Sequence, residues 1–467
     1  MPLLPEPPRS PERFTGRALV PLYAVTFIGT LGFGIVLTFL IFLVEEWGGN
    51  ALVYGLLAST YPAFQLLGAP VLGRWSDIHG RRKVLFLSQV GTLVAWGIFI
   101  TAFFMPLLPV ATVNSALLGI FVLTLPLLVL FVARALDGLT GGNVSVANAY
   151  LADVTDDVER NQNFGRMSVA SNMGYIVGPA LAGVLGATVY GEILPVIAAF
   201  LISVAGTLII AFWLPESNRC AIDRSLEEGS VRKVFGQEHR DCYFAGGEEQ
   251  LSFRGAFRLA HVPFLLGLYF LIFLGFNIYY TAFPAFAAGG LAWTAAELGI
   301  YYSAISVMMV AVQGPVLARL SKRYAEAVLI IAGTIILGAG FAILVTGNLL
   351  LIYASAVLFA VGNGLMWPSF LSLLSKLAGK TYQGSVQGFA GSAGSLASIV
   401  GLILGGVLYE AIGAVAFLIS AGTILAVFFL ALRTLRFQPP TSRQPPEVTA
   451  PGMPSGPAET EDAMQPG

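Results

Sequence analysis

Charged residues are scarce in this sequence: Asp, Glu, Lys and Arg make up 11% of its 467 residues, whereas a soluble globular chain carries about 25%. Hydrophobic residues make up 56%, and runs of about 20 apolar residues, each able to span a bilayer, recur along most of the length. The scarcity of charge therefore excludes a soluble globular protein and indicates a polytopic membrane protein. The net charge of −1 does not bear on partners, because the charges are segregated by membrane side.

Cysteine is scarcer still, with only Cys220 and Cys242, and both fall in one polar segment, which excludes a disulfide framework. Together with His239 they match no zinc-binding spacing, so we expect no metal site and no cofactor. The sequence also lacks a phosphate-binding Lys motif and any nucleophile–base constellation. ATP-driven transport and enzyme activity therefore have no support.

The apolar runs predict an all-α protein with twelve membrane-spanning helices, which we number spans 1 to 12. Their expected limits are 18–44, 51–73, 84–105, 117–151, 164–189, 193–214, 263–288, 295–318, 327–346, 349–375, 384–409 and 412–432. The fourth run is too long for one crossing, so we expect its helix to project beyond the hydrocarbon core. We expect five regions: a short N-terminal segment (1–17), a six-helix bundle (18–214), a charged linker (215–262), a second six-helix bundle (263–433) and a tail (434–467). The tail is rich in Pro, Ser and acids and is expected to be disordered.

Basic residues predict the orientation, because they flank alternate connections only. They are Arg9, Arg13, Arg17, Arg74, Arg81, Arg82, Lys83, Arg160, Arg166, seven in the linker, Arg319, Lys322, Arg323, Lys376, Lys380, Arg433, Arg436 and Arg443. The opposite connections carry no Lys or Arg and hold the acids Glu45, Glu46, Glu192, Glu297 and Glu410. We therefore expect a multi-pass protein of the cell (inner or plasma) membrane with both termini cytoplasmic.

Glycine positions indicate that the two halves are related. Gly165, Gly178 and Gly183 recur as Gly388, Gly401 and Gly406, each 223 residues later. Two parallel six-helix repeats are typical of a transporter whose substrate site lies between the halves near the midplane. The alternative is coincidence among 53 glycines.

Arg134 is the only Lys or Arg inside an apolar run, and Asp137 follows three residues later. A charge at mid-bilayer costs about 2.5–3.5 kcal/mol on insertion scales, so such a residue is paired or faces a polar cavity. At helical spacing one polar stripe contains Arg134, Asp137, Gly141, Ser145 and Asn148. We predict that this stripe faces the cavity and that Asp137 exchanges a proton. The alternative is an Arg134–Asp137 pair that only locks helix packing.

The connection between spans 2 and 3 reads Gly73-Arg-Trp-Ser-Asp77-Ile-His-Gly80-Arg81-Arg82-Lys83. Gly80 permits a tight turn, and Asp77 can meet a helix N-terminus. The arginines can pair with acids at neighbouring helix ends, which would latch one conformation. The residues of this predicted gating loop are Gly73, Asp77, Gly80, Arg81, Arg82 and Asp153. A basic anchor on the cytoplasmic side is the alternative.

This segment resembles the signature loop of the major facilitator superfamily (Gly-x-x-x-Asp-Arg/Lys-x-Gly-Arg-Arg), with Ile78 in place of the usual basic residue. Span 4 resembles the superfamily's helix-4 motif, an Arg four residues before a Gly, which that family links to proton coupling. Span 5 reads Gly174-Tyr-Ile-Val-Gly178-Pro179-Ala-Leu-Ala-Gly183. It resembles the motif of the antiporter branches, and physically its small residues permit close helix contact and Pro179 a bend.

From about Leu19 to Arg433 the chain is most similar to the tetracycline-resistance-like branch of drug:proton antiporters. It departs from that branch at its intramembrane aspartates, whose positions hold Gly29, Ala95 and Leu337, and at a span-8 histidine, replaced by Met309. The resemblance therefore does not extend to metal–tetracycline exchange, and it leaves Asp137 as the intramembrane proton carrier.

These observations together predict a monomeric, proton-coupled exporter of a small amphipathic solute that works by alternating access. We expect the lipid bilayer, a small-molecule substrate and protons as partners, and no nucleic acid. The expected cavity residues are polar or aromatic and near the midplane: Thr30, Gln65, Ser145, Asn148, Asn172, Asn277, Tyr280, Met309, Gln313, Asn363 and Trp367. Few charges and many aromatic side chains suit a largely apolar solute, although each residue can instead serve helix packing. An importer or facilitator of a sugar or other metabolite, and a non-transporting membrane factor on the same scaffold, remain the alternatives.

Overall fold

A computed structural model of the chain describes residues 19–115, 118–141, 143–155, 157–217, 255, 259 and 261–437. The N-terminal segment, most of the predicted linker with both cysteines and His239, and the tail beyond Phe437 lie outside the described residues. Within them the fold is almost entirely helical, as predicted. Nine helical segments are long and apolar enough to cross a membrane; one of these, residues 386–436, covers both span 11 and span 12. Spans 2 and 4 fall outside that group because span 2 is less apolar and span 4 is divided.

The first half contains seven helices and one β-hairpin. Its elements are α1 Val20–Glu46, α2 Ala51–His79, α3 Arg81–Ala102, β1 Pro109–Ser115, β2 Gly119–Thr124, α4 Leu125–Thr140, α5 Asn143–Asp153, α6 Asp157–Gly186 and α7 Ile193–Trp213. Spans 1 to 3 are α1 to α3, span 4 is α4 with α5, and spans 5 and 6 are α6 and α7.

The second half continues the same pattern. Its helices are α8 Val262–Ala285 (span 7), α9 Ala295–Ala311 with α10 Leu317–Leu320 (span 8), α11 Glu326–Ile343 (span 9), α12 Leu349–Ile412 (spans 10 and 11) and α13 Ala416–Ala431 (span 12). Wider π-helical turns extend α8 over Phe286–Gly290 and join α9 to α10 over Val312–Val316. Such turns loosen the backbone ladder without ending the helix.

The prediction for span 4 was wrong in two respects. Residues before Leu125 do not extend the helix, because 119–124 pair antiparallel with β1. These two stretches are rich in Val, Ile, Thr and Phe, which favour strands, and Pro126 fits the first turn of the helix that follows. The helix also stops at Gly141, next to a second glycine, a pair that commonly breaks a helix.

Spans 10 and 11 were predicted as separate helices, yet helical hydrogen bonding continues from Leu349 to Ile412. The chain nevertheless reverses direction within α12. Trp367 in its first arm and Gly394 in its second both contact Tyr269 of span 7. Farther along span 7, Phe359 of the first arm lies against Phe276, and Gly405 of the second lies beside Ile278. The two arms therefore run antiparallel past span 7, as two crossings require.

The related glycines make equivalent contacts in the two halves. Gly178 of span 5 packs on Gly34 of span 1, and Gly401 of span 11 packs on Asn277 of span 7. Each glycine permits the close approach of two backbones within its own half. The repeated spacing in the sequence thus corresponds to repeated packing in the fold.

Among the described residues, the tightest glycine contacts between the halves lie on one side of the membrane. We call the side with the β-hairpin the hairpin side and the side where Gly80 joins spans 2 and 3 the basic side. On the hairpin side, a Cβ atom placed on Gly406 would overlap Ala51 O, and one placed on Gly183 would lie 3.2 Å from Ala296 O. Toward the basic side, Gly73, Gly165, Gly314 and Gly388, on the same four spans, have nothing within 4 Å of a Cβ. Among the described residues, the halves are therefore in close contact on the hairpin side and separated at these four glycines on the basic side.

Candidate functional site

Arg134 and Asp137 form a buried ion pair in span 4. Arg134 is 6% exposed, and its Nη1 donates to Asp137 Oδ2 at 3.1 Å. The three-residue spacing of an α-helix puts both side chains on one face, as the sequence predicted. The second carboxylate oxygen of Asp137 accepts from Thr92 Oγ1 at 2.9 Å. The guanidinium also lies over the Tyr61 ring, 4.8 Å from its centroid, an arrangement that stabilises a cation.

The predicted polar stripe does not continue beyond this pair on one helix. Because span 4 breaks at Gly141, the register that would align Asn148 with Asp137 is lost, and Asn148 is exposed on the second piece, α5. The side chain of Ser145 lies outside the described part of the chain. Gly141 itself lies against span 2, where its carbonyl accepts from Gln65 Nε2 at 2.9 Å.

A small cavity opens beside the ion pair, inside the N-terminal half. Its walls come from spans 1, 2, 3, 4 and 6: Ile28, Gly29, Gly32, Phe33, Tyr61, Gln89, Thr92, Trp96, Arg134, Asp137, Ala199, Ile202 and Ser203. The exposed residues Gly29 and Phe33 form its mouth, and the buried residues Gln89 and Ser203 lie at its floor. The sequence interpretation missed Tyr61, Gln89 and Thr92. The only signal for the last two was a pair of polar residues one turn apart in an apolar run.

The connection between spans 2 and 3 turns sharply at Gly80. Gly80 adopts φ +100, a conformation that L side chains rarely adopt, and α3 begins at the next residue. Arg81 Nε donates to Asp153 Oδ2 at 3.0 Å, and Arg82 donates to the carbonyls of span 6. The side chain of Asp77 lies outside the described part of the chain.

Glu216, which follows span 6, was not among the predicted residues. Its two carboxylate oxygens accept from the backbone N–H groups of Arg81 and Arg82, at 2.8 and 3.1 Å. A carboxylate at a helix N-terminus is favoured by the helix dipole. These contacts of Arg81, Arg82 and Glu216 join elements of the N-terminal half to one another.

The span-5 motif packs against helices from both halves. Gly174 and Gly178 lie on span 1, where a Cβ on Gly174 would overlap Thr30 Oγ1. Pro179 and Gly183 face span 8, because a Cβ on Gly299 would lie 2.6 Å from Pro179 O and 2.9 Å from Gly183 Cα. The helix continues through Pro179. These residues therefore form part of the contact between the halves.

The remaining predicted cavity residues form three groups. Thr30 donates to carbonyls of its own helix, and Asn172 is half-buried on span 5. In the second half, Asn277 Nδ2 donates to Ser398 Oγ at 3.0 Å, and Asn363 Nδ2 donates to Met309 Sδ at 3.1 Å.

The third group, with Trp367, Tyr280 and Gln313, is mostly aromatic. Trp367 packs against Tyr269 and Phe273, Tyr280 against Phe276, and Gln313 lies in the π-helical turn of span 8. The second half thus offers amide and aromatic surface, whereas the first contributes the ion pair.

Glu410, at the end of span 11, joins the halves on the hairpin side. Its Oε1 accepts from the backbone N–H of Ala51 at 2.8 Å, at the N-terminus of span 2. The neighbouring Asn50 caps the same helix and donates to Leu118 O of the β-hairpin. Glu410 and Asn50 together therefore tie the start of span 2 to the end of span 11 and to the β-hairpin.

We expect Glu410→Ala to weaken closure on the hairpin side. Losing a hydrogen bond to a charged group costs about 1.5–3 kcal/mol, which shifts the closed-to-open ratio at least tenfold. Spin labels at Val189→Cys and Leu350→Cys, exposed on the hairpin side of each half, would report a longer distance by electron–electron double resonance. Glu297→Ala is the control, because the hydrogen bonds of Glu297 to described residues stay within its own capping box at Thr294. Equal distance distributions in both variants would contradict this role of Glu410.

The sequence profile of the Major Facilitator Superfamily matches residues 22–263 and 265–460. The chain is 26% identical to the tetracycline resistance protein, class C, of Escherichia coli, covering 85% of this chain and 91% of that protein. It is 28% identical to the class D protein of Salmonella ordonez, covering 81% and 86%. It is also 26% identical to solute carrier family 22 member 18 of Rattus norvegicus, covering 80% and 82%.

Solved structures share the fold at lower identity. The human organic anion transporter MFSD10 (TETRAN) aligns with a TM-score of 0.61 at 22% identity, covering 91% of this chain and 100% of that one. A D-xylose-proton symporter aligns with a TM-score of 0.67 at 15% identity, covering 88% and 97%. These likenesses establish a twelve-helix architecture of two six-helix bundles.

Proposed function

This chain belongs to the Major Facilitator Superfamily of membrane transporters, and we propose that it exports a small amphipathic solute from the cell in exchange for protons. The observation that carries the proposal is the buried Arg134–Asp137 pair beside a cavity whose mouth lies on span 1. Such a pair inside a membrane marks an ion or substrate pathway more often than a purely structural contact.

The separation of the halves on the basic side supports loading of the solute from that side. Arg74, Arg81, Arg82, Arg319 and Lys376 all lie at the basic side, which the positive-inside rule assigns to the cytoplasm. The described conformation is then inward-facing, closed outside by Glu410 and the glycine contacts. An exporter loads its solute in this conformation. Rocking of the halves would then expose the same site outside.

The chemistry of the pair supports proton exchange. While Asp137 is ionised it neutralises Arg134, and while it is protonated it leaves the guanidinium without its counter-ion. The two protonation states therefore differ in charge inside the bundle, and a difference of this kind biases a two-state equilibrium. Asp137 is the residue we assign to proton transfer and Arg134 the residue that responds to it.

The side chains that we assign to solute binding in the second half suit an amphipathic solute. Trp367, Phe273 and Tyr269 offer aromatic surface, while Asn277 and Asn363 offer amides. The relatives named tetracycline resistance proteins favour a drug-like compound, and the altered positions Gly29 and Leu337 argue against tetracycline itself. Transport of a sugar or other metabolite is the second candidate, and the symporter with the same fold is the reason to test it.

The test is solute-driven proton movement in proteoliposomes that contain a pH dye and carry an imposed proton gradient. The full chain is compared with Asp137→Asn against a panel of lipophilic drugs, tetracyclines and sugars. We expect a lipophilic drug to elicit proton flux in the unsubstituted protein and Asp137→Asn to abolish it. Equal proton flux in the two proteins would refute coupling through Asp137. A response to sugars alone would replace the exporter by the second candidate.

A further inference from the structure

The cavity beside Arg134 is too small for the solute. Its volume is about 40 Å³, and one water molecule needs about 10–15 Å³, so the cavity has room for about three waters. Its lining residues all belong to the N-terminal half, whereas the aromatic cluster around Trp367 belongs to the other half. Its chemistry is therefore that of the ion pair and not of solute recognition.

Two deeply buried polar atoms in this cavity have no hydrogen-bond partner among the described residues. One is Oε1 of Gln89, a residue that is 2% exposed, and the other is Nε of Arg134. The amide nitrogen of Gln89 donates to Ser203 O at 3.5 Å, which leaves the amide oxygen as its unpaired end. An unpaired acceptor and an unpaired donor are each costly when buried, and here they line the same cavity.

We propose that Gln89 is the alternative acceptor for Arg134, taking up the guanidinium when Asp137 binds a proton. Protonation converts the carboxylate into a neutral acid and leaves one net positive charge in the pair. Arg134 stays charged at any physiological pH. The guanidinium then turns from Asp137 Oδ2 toward Gln89 Oε1, on span 3. Gln89 is thus a positioning residue that stabilises the protonated state, and this inference rests on the proposed function.

Among the described residues that line the cavity, Gln89 is the one whose buried acceptor atom has no hydrogen-bond partner. Arg134 and Asp137 are the only Asp, Glu, Lys or Arg residues in the cavity lining, and spans 1, 3 and 6 contribute none. Span 2 contributes the Tyr61 phenol, whose ring face lies over the guanidinium. The Thr92 hydroxyl is already committed to Asp137.

The test is an infrared titration of the full-length protein in lipid nanodiscs. The protonated-carboxyl band of Asp137 is assigned by its loss in Asp137→Asn and followed against pH. In Gln89→Leu the protonated state loses a hydrogen bond to a charged group, so we expect proton affinity to fall about tenfold and the midpoint to move about one pH unit lower. In Gln89→Glu a carboxylate competes for Arg134, so the midpoint should move higher.

Gln313→Leu is the matched control, since it makes the same substitution on span 8 of the other half and should leave the midpoint unchanged. Opposite shifts in the two Gln89 variants would establish the role, because a merely structural glutamine gives no reason for a change of sign. An unmoved midpoint, shifts of the same sign, or no titrating Asp137 band would each overturn it. A titrating band with no solute-driven proton flux in proteoliposomes would instead refute the proposed antiport and leave the Gln89 assignment standing.

Discussion

Replacing Asp137 with leucine will lower the free energy of unfolding by about 3–5 kcal/mol, because it leaves a buried, unpaired cation at Arg134. The guanidinium would keep the Tyr61 ring and the proposed Gln89 acceptor as neighbours, but it would have no counter-ion. The double variant Arg134→Leu/Asp137→Leu should lose much less stability than Asp137→Leu alone. Removing both charges also removes the cost of burying them, and such replacements are often neutral.

The two single substitutions should differ from each other. In Arg134→Leu, Asp137 can bind a proton and become neutral, whereas the arginine left by Asp137→Leu cannot lose its charge. We therefore expect Arg134→Leu to be the milder of the two. Denaturant unfolding in mixed micelles, followed by tryptophan fluorescence, measures all three variants. Thr92→Val is the control, since it removes one hydrogen bond to Asp137 and should cost about 1 kcal/mol. Additive costs of the two single variants would mean that the pair is not coupled.

Most of the architecture could be predicted from the sequence because membrane crossing imposes a simple rule. Every span needs a long apolar run, and nearly all such runs became helices close to the expected limits. The rule failed at 119–124, where strand-forming residues are as apolar as a helix, so hydropathy alone could not separate a hairpin from a longer span. It also failed at Gly141, because glycines are common within membrane helices and only packing decides which of them break one.

The ion pair was predictable because its two residues lie on one helix at fixed spacing, while its surroundings were not. Thr92 and Tyr61 reach Asp137 and Arg134 from spans 3 and 2. Such contacts depend on how the helices pack, which local spacing does not determine. Glu410 could be recognised as an acid on the hairpin side, but its partner is the backbone N–H of Ala51. Almost every residue type has a backbone N–H, so the sequence could not identify this partner. The assigned roles of these residues stay predictions until the variants are measured.

Gly406→Val should open the hairpin side and abolish exchange transport. A side chain there would overlap Ala51 O and lie 2.9 Å from Leu52 Cα, and backbone cannot move aside as a flexible side chain can. Overpacking of this kind costs about 1–3 kcal/mol, which shifts the closed-to-open ratio roughly fivefold to more than a hundredfold. The Val189–Leu350 spin-label distance should lengthen. A transporter unable to close outside would then no longer load from the cytoplasm.

Gly388→Val is the matched control on the same helix, because nothing lies within 4 Å of a Cβ at Gly388 in the described conformation. It should leave the hairpin side closed. Alternating access adds a second expectation, since the outward-facing state must close the basic side along the same four spans. Gly73, Gly165, Gly314 and Gly388 would then make the close contacts that Gly406 and Gly183 make here. Gly388→Val should therefore hinder the outward-facing state, and the two valines would bias the transporter in opposite directions. A lengthened distance in both variants would mean that the glycines only pack the bundle and that the halves do not rock about them.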